Sequence, residues 1–411
     1  MSTVRTPVEA SATTDTSPPE RPLRSSKGRF GERNAIGWLF ISPTLLVLGV
    51  FLFVPIAMAV WVSFSDWSGR GSPFAGSVGF VGLDNYARLL TDEGLTRSDF
   101  MTSLRNNFYY VLLVVPAQTV FALFLAVVLN NQLLKARGFF RTAFYFPSVT
   151  SSVAIGLIFL FLFSGTGPVN TGLALIGVDA PTWFADARGL LHLLGDGLGL
   201  WDISSPPAAL EGTSILGLSA WQWLAGPSVA LSVIIMLVIW TTTGTFMLLF
   251  LAALQDVPIE VEEAARVDGA NRWESFKAVT LPHLRPTLLL VITLGIIGTW
   301  QVFDQVYVMT QGGPGKTTLT PAYLSYSYAF DSGQWGVAAA MAFILFLIIF
   351  VLSSLQRYVL RDKDEAKDRR LERQAKRRRG GQSKEENRLL SQAAHQTAPG
   401  EARSSGSGGS L

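Results

Sequence analysis

The chain has no cysteine among its 411 residues, which excludes disulfides and thiol chemistry. Histidine is nearly absent too. His192, His283 and His395 are scattered, and no His/Asp/Glu cluster has the spacing of metal ligands, so neither a metal nor a cofactor site is expected. Charge is scarce: Asp, Glu, Lys and Arg make up 15% of the residues, against about 25% in soluble proteins. The deficit is concentrated in charge-free runs at 34–65, 106–134, 142–178, 212–255, 286–303 and 332–356. About 20 mainly apolar residues cross a bilayer as a helix, so six spans are expected, near 36–63, 107–130, 143–164, 229–253, 286–308 and 337–358. A soluble helix keeps a polar face; residues 344–352 are apolar all round, which excludes a large soluble protein.

The run 212–255 is too long for one span. Gly217, Gly226 and Pro227 interrupt it, and Trp221 and Trp223 are residues of a membrane interface. The stretch 214–225 is expected to be an interfacial or extracytoplasmic helix, with a seventh span or re-entrant segment as the alternative. Six spans put both termini on one side. That side carries 27 of the 33 Lys and Arg and the other carries 6, so both termini are expected in the cytoplasm. Without the two tails the balance is seven to six, so the tails decide the orientation.

Three regions follow. Residues 1–35 are polar and rich in Pro, Ser and Thr, and are expected to be a disordered cytoplasmic extension. The first apolar run is too long for a signal peptide and reads as an uncleaved anchor. Residues 36–360 form the membrane domain. Residues 361–411 are a charged, largely disordered cytoplasmic tail; its run Lys376-Arg377-Arg378-Arg379 is either a solvated extension or a contact for anionic membrane lipid.

Between two apolar spans lies a polar island, 255–286, with ten charged side chains. Such a segment does not sit in hydrocarbon and must be a loop at one membrane face. Pro258 suits the first position of a helix, Gly269 is placed to end it in a left-handed conformation, and Asn271 with Glu274 forms a capping box for a second. Pro282 and Pro286 are expected to close the second helix. The pair could be read as a DNA-binding helix-turn-helix, but six acidic residues against four basic ones oppose that, and no nucleic-acid partner is expected. A plain connector would not need 32 residues, nor two alanines beside an exposed Glu263. A docking knob fits better.

The spacing Glu263-Ala264-Ala265, three residues, Gly269, nine residues, Val279-Thr280-Leu281-Pro282 resembles the EAA motif of binding-protein-dependent ABC importer permeases, with Val279 where Ile is usual. The string Val257-Pro258, Arg266-Val267-Asp268-Gly269-Ala270 and Leu284-Arg285-Pro286 is similar to the carbohydrate, maltose-permease-like branch. Further matches are 79–86, Arg141-Thr142 with Phe146-Pro147, Phe303-Asp304 and Thr310-Gln311-Gly312-Gly313-Pro314-Gly315. The resemblance spans roughly 36–360 and leaves out the tails.

The resemblance implies an all-α integral membrane protein of the type I ABC importer permease fold, six transmembrane helices with a cytoplasmic two-helix coupling loop. It implies that Glu263, Ala264, Ala265, Asp268, Gly269, Leu281 and Pro282 couple to a cytoplasmic ABC ATPase dimer, whose closure flips the cavity between inward- and outward-facing states. It also implies a second homologous permease subunit, an extracytoplasmic solute-binding protein and residence in the cell (inner) membrane. The chain itself has no catalytic constellation. In Gly312-Gly313-Pro314-Gly315-Lys316-Thr317, a phosphate-binding loop would need Gly where Thr310 stands, so ATP hydrolysis belongs to another subunit.

Sugar recognition calls for aromatic rings and neutral polar groups inside the membrane. Polar side chains at that depth face a protein interior or a water-filled path. Span four offers Trp240, Thr241, Thr242 and Thr245; span five offers Thr299, Trp300, Gln301 and Asp304. In the resembled family these two helices carry much of the sugar pocket. Each residue has a plainer role open to it, since Thr bonds its own helix backbone and Trp anchors interfaces; Asp304 reads equally as a structural residue at a helix end. The expected cargo is a di- or oligosaccharide. The alternatives are another solute such as glycerol phosphate, opposed by the lack of Lys and Arg in the spans, and an ion-coupled transporter, which would want intramembrane carboxylates and an inverted repeat.

Overall fold

The computed structural model describes residues 30–131 and 135–360. The expected tail 361–411 and most of the expected extension 1–35 lie outside these residues; 30–35 are helical. Among the described residues, five helices are long and apolar enough to cross a membrane: Gly37–Ser63, Leu95–Asn130, Val229–Gln255, Arg285–Met309 and Trp335–Val359. A sixth crossing is made only if the pair Arg137–Val149 and Ser152–Leu162 counts as one, and that pair is bent by 98°.

The third expected span, 143–164, is therefore not a straight rod. Thr150 adopts extended backbone, and Ser151, at φ −55° and ψ 128°, is also outside the helical region. The Ser148 and Thr150 hydroxyls fold back to donate to the Tyr145 and Phe146 carbonyls at 2.7 and 3.0 Å. Hydroxyls that compete for terminal carbonyls weaken the end of a helix, and here the chain turns. The second helix is also longer than its charge-free run. It starts at Leu95, twelve residues before the expected 107, because its first turns carry charges that are held by other segments. Lys316 pairs with Asp99 at 2.6 Å, and Arg105 donates to the Gln222 carbonyl at 3.2 Å.

The unit that runs from Val60 onward is organised around Val229–Gln255, which packs mainly against Leu95–Asn130 and then Arg137–Val149. One apolar cluster joins Val114, Phe159, Leu231, Ile234 and Val306. A second, toward the island, joins Ala126, Leu129, Met247, Phe250 and Leu284. A third, at the opposite end, joins Leu89, Phe100, Leu324 and Met341. The helix Arg285–Trp300 unwinds at 301–303 before Asp304–Met309 resumes. Backbone freed at membrane depth must find partners. Asn107 donates its amide to the Trp300 carbonyl at 3.4 Å, and Thr320 donates to the Val302 carbonyl at 3.1 Å.

The stretch 214–225 is not one helix. Ser214–Ile215 and Leu218–Ser219 form a small antiparallel hairpin, and Ala220–Leu224 follows as a short helix with a Ser219/Gln222 capping box. Leu216 and Gly217 turn the hairpin with positive φ, which takes this stretch out of helix. Five residues are too few to span, and the next crossing begins at Val229, where Ser228 accepts the Leu231 N–H at 3.0 Å.

Candidate functional site

A cavity of about 260 Å³ opens between the helices Leu95–Asn130, Val229–Gln255 and Arg285–Trp300 and the unwound turn after the last. Val238, Thr242 and Phe246 recur every four residues, so one face of a helix lines one wall. Gly295, Gly298 and Thr299 line the second wall, continued by Gln301 to Phe303 in the unwound turn and by Asp304 and Gln305 just after it, and Tyr110 with Gln118 line the third. No Lys or Arg lines the cavity, and Asp304 is its one carboxylate.

Four of the residues expected from sequence meet there: Thr242, Thr299, Gln301 and Asp304. Thr242 donates to Gln118 Oε1 at 2.6 Å. The Thr299 hydroxyl donates to its own helix at Gly295 O, 2.6 Å. Asp304 accepts the Ser152 hydroxyl at 2.8 Å, which ties the unwound turn to the bent helix pair. The other four stand elsewhere. Trp240 and Thr245 are exposed and outside the cavity lining. Trp240 lies on the far side of the helix from Thr242 and packs beside Phe159, ring centroids 5.8 Å apart, whereas Thr245 is three residues from Thr242 on the adjacent face. Thr241 donates to the Val238 carbonyl. Trp300 is buried with Leu345 and Ile349 away from the cavity.

Sequence reasoning passed over Tyr110, Gln118, Phe246, Phe303 and Gln305, which also line the cavity. Gln118 was findable: it is the one carboxamide between Phe108 and Leu129, deep in a charge-free run, and the rule for polar groups at membrane depth applies to it as to Thr242. Phe303 continues into a group of rings outside the cavity, 5.4 Å from Tyr307 and 5.2 Å from Tyr326.

The island at 255–286 is the second candidate region. Its first helix runs Ile259–Val267 with Pro258 at the N-cap, and Gly269 follows with φ +80°. Asn271 accepts the Trp273 and Glu274 N–H groups at 3.0 and 2.9 Å, while Glu274 accepts the Asn271 N–H at 2.8 Å. This is the expected capping box. The two prolines do not close the second helix. A π-turn, Phe276–Thr280, carries the chain into Leu281–His283 and on into the membrane helix, with Pro282 and Pro286 in the first turns of the new segments. A first-turn proline has no helical N–H bond to lose. Glu263, Ala264, Asp268, Gly269 and Pro282 are exposed, and Ala265 and Leu281 are half-buried. Apolar side chains share this polar surface: Val267 is 87% exposed and Ile259 66%. Lys277 lies over the exposed Trp273 ring. Beneath the island an open cleft of about 580 Å³ is lined by Asn130, Arg266, Arg272 and Thr280 among others.

The phosphate-loop look-alike is a folded turn. Lys316 is held by both Asp99 oxygens, and Asn106 donates to the Lys316 and Leu319 carbonyls.

Comparison with known proteins completes the picture. The profile of the family "Binding-protein-dependent transport system inner membrane component" matches residues 118–364. The lactose transport system permease protein LacF of Rhizobium radiobacter is 32% identical over 83% of this chain and 98% of its own length. The trehalose/maltose transport system permease protein MalF of Thermococcus litoralis is 31% identical over 79% and 93%. Among solved structures, a bacterial ABC transporter involved in import of the acidic polysaccharide alginate has the same fold, with a TM-score of 0.59 at 19% identity, over 80% of this chain and 96% of that one. The EAA-like island, the broken membrane helix and these matches agree: the chain is a multi-pass membrane protein that belongs to the family of binding-protein-dependent transport system inner membrane components.

Proposed function

We propose that this chain is the translocating subunit of an ATP-driven importer for a carbohydrate, in the di- or oligosaccharide range. The observation that carries the reading is the cavity. Neutral hydrogen-bonding groups, Thr242, Gln118, Gln301 and Tyr110, stand beside the Phe246 and Phe303 rings in a site without Lys or Arg. That lining suits hydroxyls and the apolar faces of sugar rings, and it disfavours a phosphate ester. The lactose and trehalose/maltose relatives transport sugars by their names, which supports the same class here. Thr245, exposed on the face next to Thr242 of the same helix, extends the polar path toward a second homologous permease subunit, and Trp240 is exposed on another face.

The energy enters through the island. Its exposed Ile259, Ala264 and Val267 beside Glu263 form a mixed apolar and acidic knob suited to a cleft in a cytoplasmic ATPase dimer. Leu281 and Pro282 brace it to the membrane helix. An extracytoplasmic binding protein delivers the sugar, and both termini face the cytoplasm. The test is reconstitution of this chain with its second permease, ATPase and binding protein in proteoliposomes. Uptake of radiolabelled lactose, maltose or trehalose is expected to require ATP and every component. Uptake by this chain without an ATPase would sink the importer reading.

A further inference from the structure

Gln118 is 1% exposed, yet half of its carboxamide has no partner. Thr242 holds the other half: its hydroxyl is 2.6 Å from Gln118 Oε1 and 2.7 Å from the Val238 carbonyl. A hydroxyl has one proton and two lone pairs, so Thr242 can pair with the amide in either sense. Whichever way the amide is turned, its far end stands unpartnered against Gly295. A Cβ at Gly295 would lie 2.5 Å from Gln118 Nε2. Any side chain at 295 would fill the space the amide occupies, so the glycine is a notch cut for it. Both residues line the cavity, as does Tyr110, whose buried hydroxyl also lacks a partner. Buried polar groups are normally satisfied. Two that are not, on side chains that line one cavity, mark where a ligand's own polar atoms belong.

We propose that Gln118 reads the transported sugar. Its free amide end hydrogen-bonds one substrate hydroxyl, with Thr242 as the clamp and Gly295 as the notch that sets selectivity. A hydroxyl is the matching group because it donates and accepts, as the amide does. The assignment rests on the carbohydrate reading above and adds a third helix to the recognition surface.

The test uses the full complex in proteoliposomes with radiolabelled maltose, trehalose and lactose, then singly deoxygenated analogues of the sugar imported best. The variants are Gln118→Leu and Gly295→Ala, and the second keeps both polar side chains should the first fail to insert. Uptake at limiting sugar is compared as the ratio of analogue to parent, which cancels the binding protein's own selectivity because that protein is common to all variants. At one ring position the wild type is expected to discriminate against the analogue on the order of tenfold, the worth of one hydrogen bond, and both variants are expected to lose that discrimination while keeping it elsewhere. Identical analogue profiles in the wild type and both variants, whether or not uptake is uniformly slowed, would overturn the assignment and leave the carbohydrate reading standing. A wild-type complex that imports none of the three sugars would overturn both.

Discussion

The island and the cavity are built by opposite means. In the island, each device acts on neighbours within a few positions: Gly269 ends one helix, and Asn271 and Glu274 cap the next. The result is an exposed surface. In the cavity, the decisive contact joins Thr242 to Gln118, 124 positions away. No local rule fixes it. Helix packing brings the two together, and the result is an open cavity with Gln118 buried in its wall. An exposed docking surface needs local rigidity, whereas a recognition cavity needs tertiary precision. The two regions should therefore fail differently when mutated.

The largest expected effect is at Gly269. Its φ of +80° is a conformation that a β-branched residue resists. No atom crowds a Cβ there, so the penalty is in the backbone alone. Gly269→Val is expected to cut ATP-driven uptake more than tenfold while the protein still reaches the membrane and unfolds at a normal temperature, because the strain of about 1–2 kcal/mol falls on the loop. Uptake in proteoliposomes and unfolding in detergent check it. Normal uptake would remove the island from the coupling path.

Thr242→Val should behave the other way. It leaves Gln118 buried with neither end held, which costs about 1–3 kcal/mol. A lowered unfolding midpoint is expected together with a higher half-saturation concentration for sugar. If stability is unchanged, the clamp contributes nothing and the contrast between the two regions is lost.

What was legible in the sequence follows the same division. The apolar runs located five crossings, because hydropathy is a property of each residue. The capping box and the left-handed glycine were legible because caps are local. The bend at Thr150 was not, since it depends on hydroxyls at Ser148 and Thr150 that compete within one helix end. The early start of the second helix was hidden because Asp99 and Arg105 look like a loop until Lys316 and the Gln222 carbonyl supply partners from far along the chain. Pro282 and Pro286 misled for a related reason: a proline that stops one helix also starts the next. In the cavity, attention to threonine and tryptophan on two helices found Thr242 and Thr299 but missed Gln118 on a third.

A smaller effect belongs to Asn271. Asn271→Ala removes both capping bonds at the start of the second island helix and should cost about 1 kcal/mol. Amide exchange at 273–276 is expected to quicken by roughly fivefold, with uptake reduced less than in Gly269→Val. An effect on uptake as large as that of Gly269→Val would mean that the brace, not the turn, governs coupling.

The smallest effect is expected outside both regions and serves as their control. His192 stacks on Trp221 with ring centroids 3.9 Å apart, and its Nε2 lies 3.1 Å from the Trp221 carbonyl. Burial holds its pKa below the usual 6.5, the nearby Arg105 pushes the same way, and the Trp221 carbonyl opposes them. A histidine with a depressed folded pKa binds fewer protons folded than unfolded, so its contribution is full above 6.5 and declines as pH falls below it. Asp186, held below the ordinary carboxylate range by its bond to Arg188, gives way only at lower pH. Limited proteolysis of 190–224 should therefore speed up modestly between pH 7 and pH 5.5, and His192→Phe should flatten that change without altering the sugar or ATP dependence of uptake. If His192→Phe keeps the pH response, the response belongs to another group; if it changes the sugar dependence, the loop and the cavity are coupled, and the cavity's selectivity is not set by its three helices alone.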